Sequence, residues 1–583
     1  MQQRNIATKQ TEKKLQLILC WHMHQPDYRN YLTGEFVLPW TYLHAMKDYT
    51  DMAYHLELSP HAKAVVNFVP ILVDQLLDYE QQFKSGQIRD GLLKMLCLER
   101  LDDLNEKDRL HILDSCFKSN HTKMLQPYRA YQHLFDLQKM MEGRGRETVT
   151  YLSGQYLADL LVWYHLVWMG ESVRRSSEVI ARLMTKGGQF TYAERMELFN
   201  LIGELISGII PRYRKLAEHG QIELSTTPYN HPILPLLLDF NSALESEPNA
   251  PLPQAGYYPG GLRRAQSHLV KAVESHQRHF GMTPKGMWPS EGSVSRPTLK
   301  LLGEHGCRWT ATGQAVLAHS LQREMNGNAL PDKSTYLYKP YLLEGVAKPV
   351  YCFFRDDHLS DRIGFEYAKW KGDDAAADFV HQLEEIYRHA HGEHDPVVSV
   401  ILDGENAWEY YPYNGHYFLS ELYAKLEKHP FIRTTTFDEY VQGIEAGNVQ
   451  STVGKLKQLV SGSWVYGTFS TWIGSPDKNR GWDLLCEAKR SYDIVTNSGR
   501  LNAEETRLAT EQLADCEGSD WFWWFGDYNS AQSVSSFDIL FRQNLANLYR
   551  LLKLPAPVDL QHAISVGGGA PAVGGTMRRS EGV

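Results

Sequence analysis

Two acidic residues stand at places where a buried charge is costly unless it is used. Glu291 lies in the turn Pro289-Ser290-Glu291-Gly292, straight after Gly286-Met287-Trp288. Asp403 ends the apolar run Val397-Val398-Ser399-Val400-Ile401-Leu402 and is followed by Gly404. A carboxylate at the mouth of a buried strand must be paired or put to work. Either acid alone reads equally well as a helix cap or an arginine partner. Two of them, with histidine, glutamine and tryptophan at the ends of other apolar runs, favour chemistry. Two carboxyls across one opening can divide the labour of glycoside cleavage: one attacks the anomeric carbon and the other protonates the departing oxygen, at about 5–5.5 Å from each other.

The first apolar run leads into His22-Met23-His24-Gln25-Pro26. Alternating histidines on a strand point the same way. That suits contacts to sugar hydroxyls, ligation of a metal with a third partner such as Asp403 or His231, or local structural bonding. Asp356-Asp357-His358 is a weaker metal candidate, because adjacent strand residues diverge. Glu223 opens its strand and reads as a support for the site or as a core ion pair. His231 and Arg355 follow their own runs and join the candidate substrate contacts. Trp288 and Trp408 read as sugar platforms or as buried core. Trp464 and Trp472 belong to an alternating aromatic stretch that could roof a cleft. The run Trp521-Phe522-Trp523-Trp524-Phe525 reads as packing between domains.

Seven apolar runs carry these groups: 17–20, 64–68, 222–226, 286–288, 307–311, 350–354 and 397–403. Several follow a helical stretch that stops at glycine, as in Leu216-Ala217-Glu218-His219-Gly220 and Leu302-Gly303-Glu304-His305-Gly306. Helix, glycine cap, strand is the second half of a βα repeat. Chemistry gathered at the C-terminal ends of parallel strands is what a β/α barrel produces. The count of seven predicts an α/β fold, an incomplete seven-stranded (β/α)7 barrel with a helical insertion and a C-terminal α-helical domain. The division expected is a flexible tail over 1–14, a catalytic barrel over 15–445 with its insertion at about 74–210, a mainly helical domain over 446–555 that completes the cleft, and a disordered tail over 556–583.

Composition sets limits. The chain has 583 residues, 22% charged and 43% hydrophobic, with 32 Tyr and 14 Trp. Aromatic faces stack on sugar C–H surfaces, although core packing in a large protein explains the same count. A net charge of −9 argues against a nucleic-acid partner. The seven cysteines are scattered, without C-x-x-C spacing, and point to a reducing, cytoplasmic setting. The polar N-terminus lacks a secretory core, and no run reaches the ~18 apolar residues of a membrane span.

Four stretches in order, His22 to Pro26, Gly220-Gln221-Ile222-Glu223, Gly286 to Ser295 and Leu402 to Tyr411, resemble the successive signature regions of glycoside hydrolase family 57. The resemblance spans about 15–553, and the Trp464 to Trp472 stretch is similar to a fifth region. It implies a retaining mechanism on α-linked glucans, with no catalytic metal and no cofactor. Glu291 matches the nucleophile and Asp403 the general acid/base. His22, His24, Gln25, Glu223, Trp288, Glu405 and Trp408 match positions that line or support the substrate cleft. The wording around both acids is closest to the α-amylase and amylopullulanase group and less like branching enzymes. Thr312-Gly313-Gln314 departs from relatives that carry an acidic pair there, which bears on outer subsites. The expected activity is α-1,4-glucan hydrolysis, with α-1,6 cleavage also open. A 4-α-glucanotransferase, a metal-dependent hydrolase using His22, His24 and Asp403, and a non-catalytic glycan-binding protein are the alternatives.

Overall fold

A computed structural model describes residues 13–141, 146–390, 394–449, 451–569 and 577. Seven parallel strands close on themselves: β1 Leu15–Met23, β2 Ala64–Phe68, β3 Ile222–Thr226, β4 Gly286–Met287, β5 Trp309–Gly313, β6 Tyr351–Arg355 and β7 Val397–Asp403. β7 pairs with β1 over seven residues, and this seam is the longest in the barrel. The weak seams are β3 to β4, held at Thr226 and Met287, and β6 to β7, held at Arg355 and Ser399. A short β4 and two thin seams are the physical meaning of an irregular barrel. Three further strands extend the sheet. Ile432–Thr434 pairs with the start of β1, Tyr341–Leu343 runs antiparallel to β6, and Gly454–Leu456 lies beside Tyr341–Leu343.

The barrel is filled rather than hollow. Ile18, Cys20, Val65, Trp309, Ala311, Phe353 and Ile401 meet inside it, and Phe437, Tyr440 and Val441 of helix Phe437–Glu445 close its lower end. Gly286 is required here. A Cβ at that position would sit 2.2 Å from the Trp309 ring.

Helices from Pro70–Ser85 to Tyr192–Glu218 fill the whole interval between β2 and β3. The last of these is 27 residues long and starts with a reciprocal Thr191/Glu194 capping box. Beyond the sheet come helices Pro476–Asn497, Ala503–Cys516, Asp520–Trp524 and Ala531–Leu551. One buried cluster pins this helical part to the barrel. Glu517 accepts from Arg264 Nε (2.7 Å), faces His268 Nε2 (2.7 Å) and accepts from Tyr258 OH (2.5 Å). The Arg264 guanidinium and the His268 contact outweigh burial and hold the Glu517 carboxyl far below the usual range.

The expected tails need correction where they are described. Residues 1–12 lie outside the described residues, but the amide of Lys14 donates to Asp395 (2.7 Å) and Lys13 Nζ to the Ala390 carbonyl (2.6 Å). Part of 556–583 is ordered: Val558–Gln561 forms a 3-10 turn, and Ser565 bonds to Asp477 and Asp538. These polar anchors leave no mark in a hydrophobic pattern. Residues 570–576 and 578–583 lie outside the described residues. No helix among the described residues is long and apolar enough to cross a membrane, and all seven cysteines are free thiols.

Candidate active site

A cavity of about 350 Å³ opens at the C-terminal ends of the strands. Strand register builds its floor. His22 lies level with Asp403 on one neighbouring strand and with Asn67 on the other. His22 and His24 face the same side, their rings 5.7 Å apart, as strand alternation requires. Gly404 permits the close approach of β7 to β1, since a Cβ there would meet Met23 Sδ at 2.1 Å.

Glu291 sits in a 3-10 turn after β4 with φ 56° and ψ 26°, a left-handed conformation that costs an L residue roughly 1 kcal/mol or more. The surroundings enforce it. Its carbonyl accepts from the Trp464 amide (3.1 Å), and its carboxylate accepts from Trp464 Nε1 (3.0 Å). The Ser519 hydroxyl stands 3.4 Å from Glu291 Oε1 and 2.8 Å from His231 Nδ1. One hydroxyl proton serves one of those acceptors at a time. Burial, then Asp403, then Asp520 push Glu291 up to about 8. Burial pushes Asp403 up to about 6, partly offset by Asn406 Nδ2, which donates to it at 2.9 Å, and by the charges of His24 and Arg355. Glu405 accepts from Gln25 Nε2 (3.1 Å) and the His24 amide (3.3 Å), and burial drives it well above the usual carboxylate range. The site thus gathers acids that resist ionising together.

Three imidazoles back this pair. Asn67 Nδ2 donates to Ser225 Oγ, so Asn67 Oδ1 accepts from His22 Nδ1, 2.7 Å away. His22 Nε2 then faces His231 Nε2 at 3.2 Å. Burial and the neighbouring rings push His22 down to about 3 and His231 far below its ordinary value, so both are neutral at pH 7. His24 stacks on His231 at 3.8 Å and contacts Asp520 Oδ1 through Nε2 at 2.8 Å.

Among the described residues, one group of three possible metal ligands comes together: His24, His231 and Asp520, with ligand atoms within 4.8 Å of one another. It is a poor metal cage. The two rings stack at an interplanar angle of 23°, so their in-plane lone pairs do not converge on a point within ~2 Å of both. The set His22, His24 and Asp403 forms no such group among the described residues.

Of the residues singled out in the sequence, Glu291, Asp403, His22, His24, Gln25, His231, Glu405 and Trp464 line the cavity. Five do not. Glu223 points to the other end of the barrel, where it accepts from Trp309 Nε1 (2.6 Å) and the Asp438 amide (2.9 Å). It caps the plugging helix instead of meeting a substrate. Trp288 is fully buried beneath Trp464, their rings 5.3 Å apart, and presents no free face. Trp408 is also buried, and its Nε1 donates to the Gly404 carbonyl (2.8 Å), so it braces the Asp403 turn. Trp472 is buried behind Trp523. Arg355 lies behind Asp403. It donates to Asp357 (2.7 Å), Asp361 (3.0 Å) and the Ile401 carbonyl (2.8 Å), with its guanidinium over the Trp464 ring.

Other residues at the site went unread in the sequence: Asp520 and Phe537 of the C-terminal helices line the cavity with Trp40 and Trp168, and Ser519 stands behind Glu291. Trp523 and Trp524, expected to pack between domains, also reach the cavity. The available signal was an acid placed directly before an aromatic run: Trp521 and Phe522 pack inward, and Trp523 and Trp524 reach the cavity.

The profile described as Glycosyl hydrolase family 57 matches residues 18–453. A branching enzyme of the same type from Pyrococcus horikoshii is similar in structure at TM-score 0.57 and 16% identity, over 92% of this chain and 89% of that one. One from Thermococcus kodakaraensis, solved with glucose, gives 0.58 and 15%, over 92% and 90%. The α-amylase AmyC from Thermotoga maritima gives 0.53 and 14%, over 93% of each chain. Identities this low speak for the fold alone. No curated protein matches the sequence. The family match covers most of the chain, including most of β1, the other six barrel strands and both acids at the mouth: the chain belongs to glycosyl hydrolase family 57 and is a glycoside hydrolase.

Proposed function

We propose that this enzyme cleaves α-1,4-glucosidic bonds of α-glucans with retention, Glu291 acting as nucleophile and Asp403 as general acid/base. The observation that carries the reading is Glu291 held on a strained turn, with Trp464 Nε1 donating to its carboxylate, in one buried cavity with Asp403. In the first step ionised Glu291 attacks the anomeric carbon while Asp403 gives its proton to the leaving oxygen. In the second, Asp403 takes a proton from water, which displaces Glu291. The mutual repulsion of the two acids suits this cycle, since the pair keeps one proton near neutrality. The Trp464 hydrogen bond favours the ionised form of Glu291, and in this reading bound substrate moves the shared proton from Glu291 to Asp403.

One observation favours the exchanged roles: Glu291 is pushed higher than Asp403. The strained turn and the Trp464 donor weigh more, because substrate entry changes burial for both acids while the positioning of Glu291 stays. Aromatic walls from Trp40, Trp168 and Trp524 support a sugar chain as ligand, and the names of the solved relatives, branching enzymes and an α-amylase, agree with α-glucan chemistry. The free thiols support a reducing compartment, with the cytoplasm as the proposed location.

Product analysis from maltoheptaose, run beside Glu291→Gln, tests the proposal. Shorter oligosaccharides from the unmodified chain and none from the variant are expected. Longer products would assign a 4-α-glucanotransferase instead. New α-1,6 branch points would assign branching, and near-normal turnover by the variant would remove Glu291 from the mechanism.

A further inference from the structure

Three successive residues on the outer surface share a left-handed backbone: Tyr413 (φ 53°), Asn414 (φ 54°) and Gly415 (φ 73°). Glycine adopts this conformation freely, whereas a tyrosine is strained in it. Strain persists only where the surroundings impose it. Here Asn414 is the anchor. It is buried, accepts from Lys47 Nζ (3.0 Å) and donates to Asp51 Oδ2 (2.8 Å). Gly415 packs so close to Trp408 that a Cβ would lie 2.8 Å from its ring.

The consequence of this anchoring is display. The Tyr413 ring is 57% exposed and stands at 87° to Tyr417, 48% exposed, with ring centres 5.6 Å apart. Arg175 bridges the two, its guanidinium 6.0 and 5.1 Å from their ring centres, and donates to Tyr417 OH at 3.1 Å. Next to the pair is a dent of about 210 Å³ lined by Tyr413, Tyr128, Lys123, Arg174 and Glu409 among others. Glu409 also lines the catalytic cavity, so the two depressions adjoin across a single residue.

We propose that Tyr413 and Tyr417 form a second α-glucan binding site, outside the catalytic cavity and next to it; the choice of ligand rests on the catalytic reading above. Aromatic faces accept the C–H face of a glucose ring, and the mixed charges beside them offer donors and acceptors to a neutral polyhydroxyl. Two rings at a right angle fit successive residues of a curved chain better than a flat surface. A protein partner would need a far larger buried area than two tyrosines ringed by charge provide. Adjacency to the cleft gives the site a use: it holds a long polymer while one of its ends or segments lies across the acids. An oligosaccharide too short to reach from the acids past Glu409 to Tyr413 gains nothing from it.

The test compares the full chain with Tyr413→Asn/Tyr417→Ser. Asparagine tolerates the left-handed backbone, so the turn is kept. Electrophoresis through gels containing glycogen reads polymer binding, and kcat/KM on maltoheptaose reads the cleft. The expected result is a roughly tenfold weaker apparent affinity for glycogen, with maltoheptaose kcat/KM within about twofold. If the double variant melts low, Tyr417→Ser alone, on a regular helix, is expected to weaken glycogen binding at least threefold. Retardation equal to the unmodified chain in folded variants, or no retardation of the unmodified chain, overturns the surface site and leaves the cleft untouched. Retardation lost in the variant while the unmodified chain cleaves no α-glucan supports the surface site and removes the catalytic reading.

Discussion

Replacing Glu291 by glutamine should make the enzyme more stable, and increasingly so as the pH rises. The carboxyl is moved from 4.5 to about 8 by burial, Asp403 and Asp520. In the unfolded chain it ionises near 4.5, while in the folded chain it stays neutral until about 8. Its neutral form therefore fits the fold at low pH, and the mismatch grows from pH 4.5 to pH 8, then levels off. At about 1.4 kcal/mol per pH unit the ceiling is roughly 4–5 kcal/mol. The side chain keeps 11% of its surface exposed in an open cavity, so we take about 2 kcal/mol as the effective penalty. Glutamine has the same shape, cannot ionise and still accepts from Trp464. Relief of Asp403 adds a term of the same sign. Thermal melts of both proteins at pH 5 and pH 8.5 should give nearly equal Tm at the lower pH and a gain of a few °C for the variant at the higher. A gap that does not change with pH, or a variant that melts lower at pH 8.5, would show Glu291 ionised in the folded enzyme and refute this reasoning.

Three further outcomes follow from the geometry. Ser519→Ala should lower kcat about fivefold with KM little changed, since His231 Nδ1 loses the hydroxyl that orients it beside Glu291, a hydrogen bond worth about 1 kcal/mol; a kcat equal to that of the unmodified enzyme would make Ser519 merely structural. Glu517→Gln leaves Arg264 buried without its counter-charge and should cost about 3–5 kcal/mol in chemical denaturation, with activity falling as Ser519 and Asp520 lose their anchor; a loss below about 1 kcal/mol would contradict that picture. Prolonged chelation should leave activity within about twofold, because the stacked His24 and His231 rings do not converge on an ion; activity lost on chelation and regained with zinc would reverse this.

The barrel was legible because its strands are buried on both faces. Val397 to Leu402 and Leu17 to Cys20 are continuous apolar runs that period and length identify without tertiary knowledge. Asp403 was legible because it ends such a run, and Glu291 because it stands in a glycine-flanked turn just after Gly286-Met287-Trp288. Direction was harder to read. Glu223 is the second residue of its strand, so it projects near the lower end of the barrel, and only register reveals that. Tryptophan was ambiguous for a related reason: Trp288 and Trp408 brace the turns that carry Glu291 and Asp403 from beneath, and burial, not residue type, separates a brace from a platform. Ser519 and Asp520 were out of reach. They lie more than a hundred residues after Asp403 and arrive through the buried Glu517 cluster, a contact that no local pattern encodes. The strained Tyr413 turn was equally hidden, since its left-handed backbone is imposed by Lys47 and Asp51 from a distant helix.

The central claim is that Glu291 becomes covalently bonded to sugar. Incubation with a slow substrate, an α-maltosyl fluoride carrying a second fluorine at C5 of the reacting ring, followed by digestion and peptide mass measurement, tests it directly. The account predicts one added 5-fluoromaltosyl group on the peptide that contains Glu291, the anomeric fluoride having left, and none on Asp403. An adduct on Asp403 would exchange the two roles, and turnover with inversion and no adduct would end the retaining mechanism altogether.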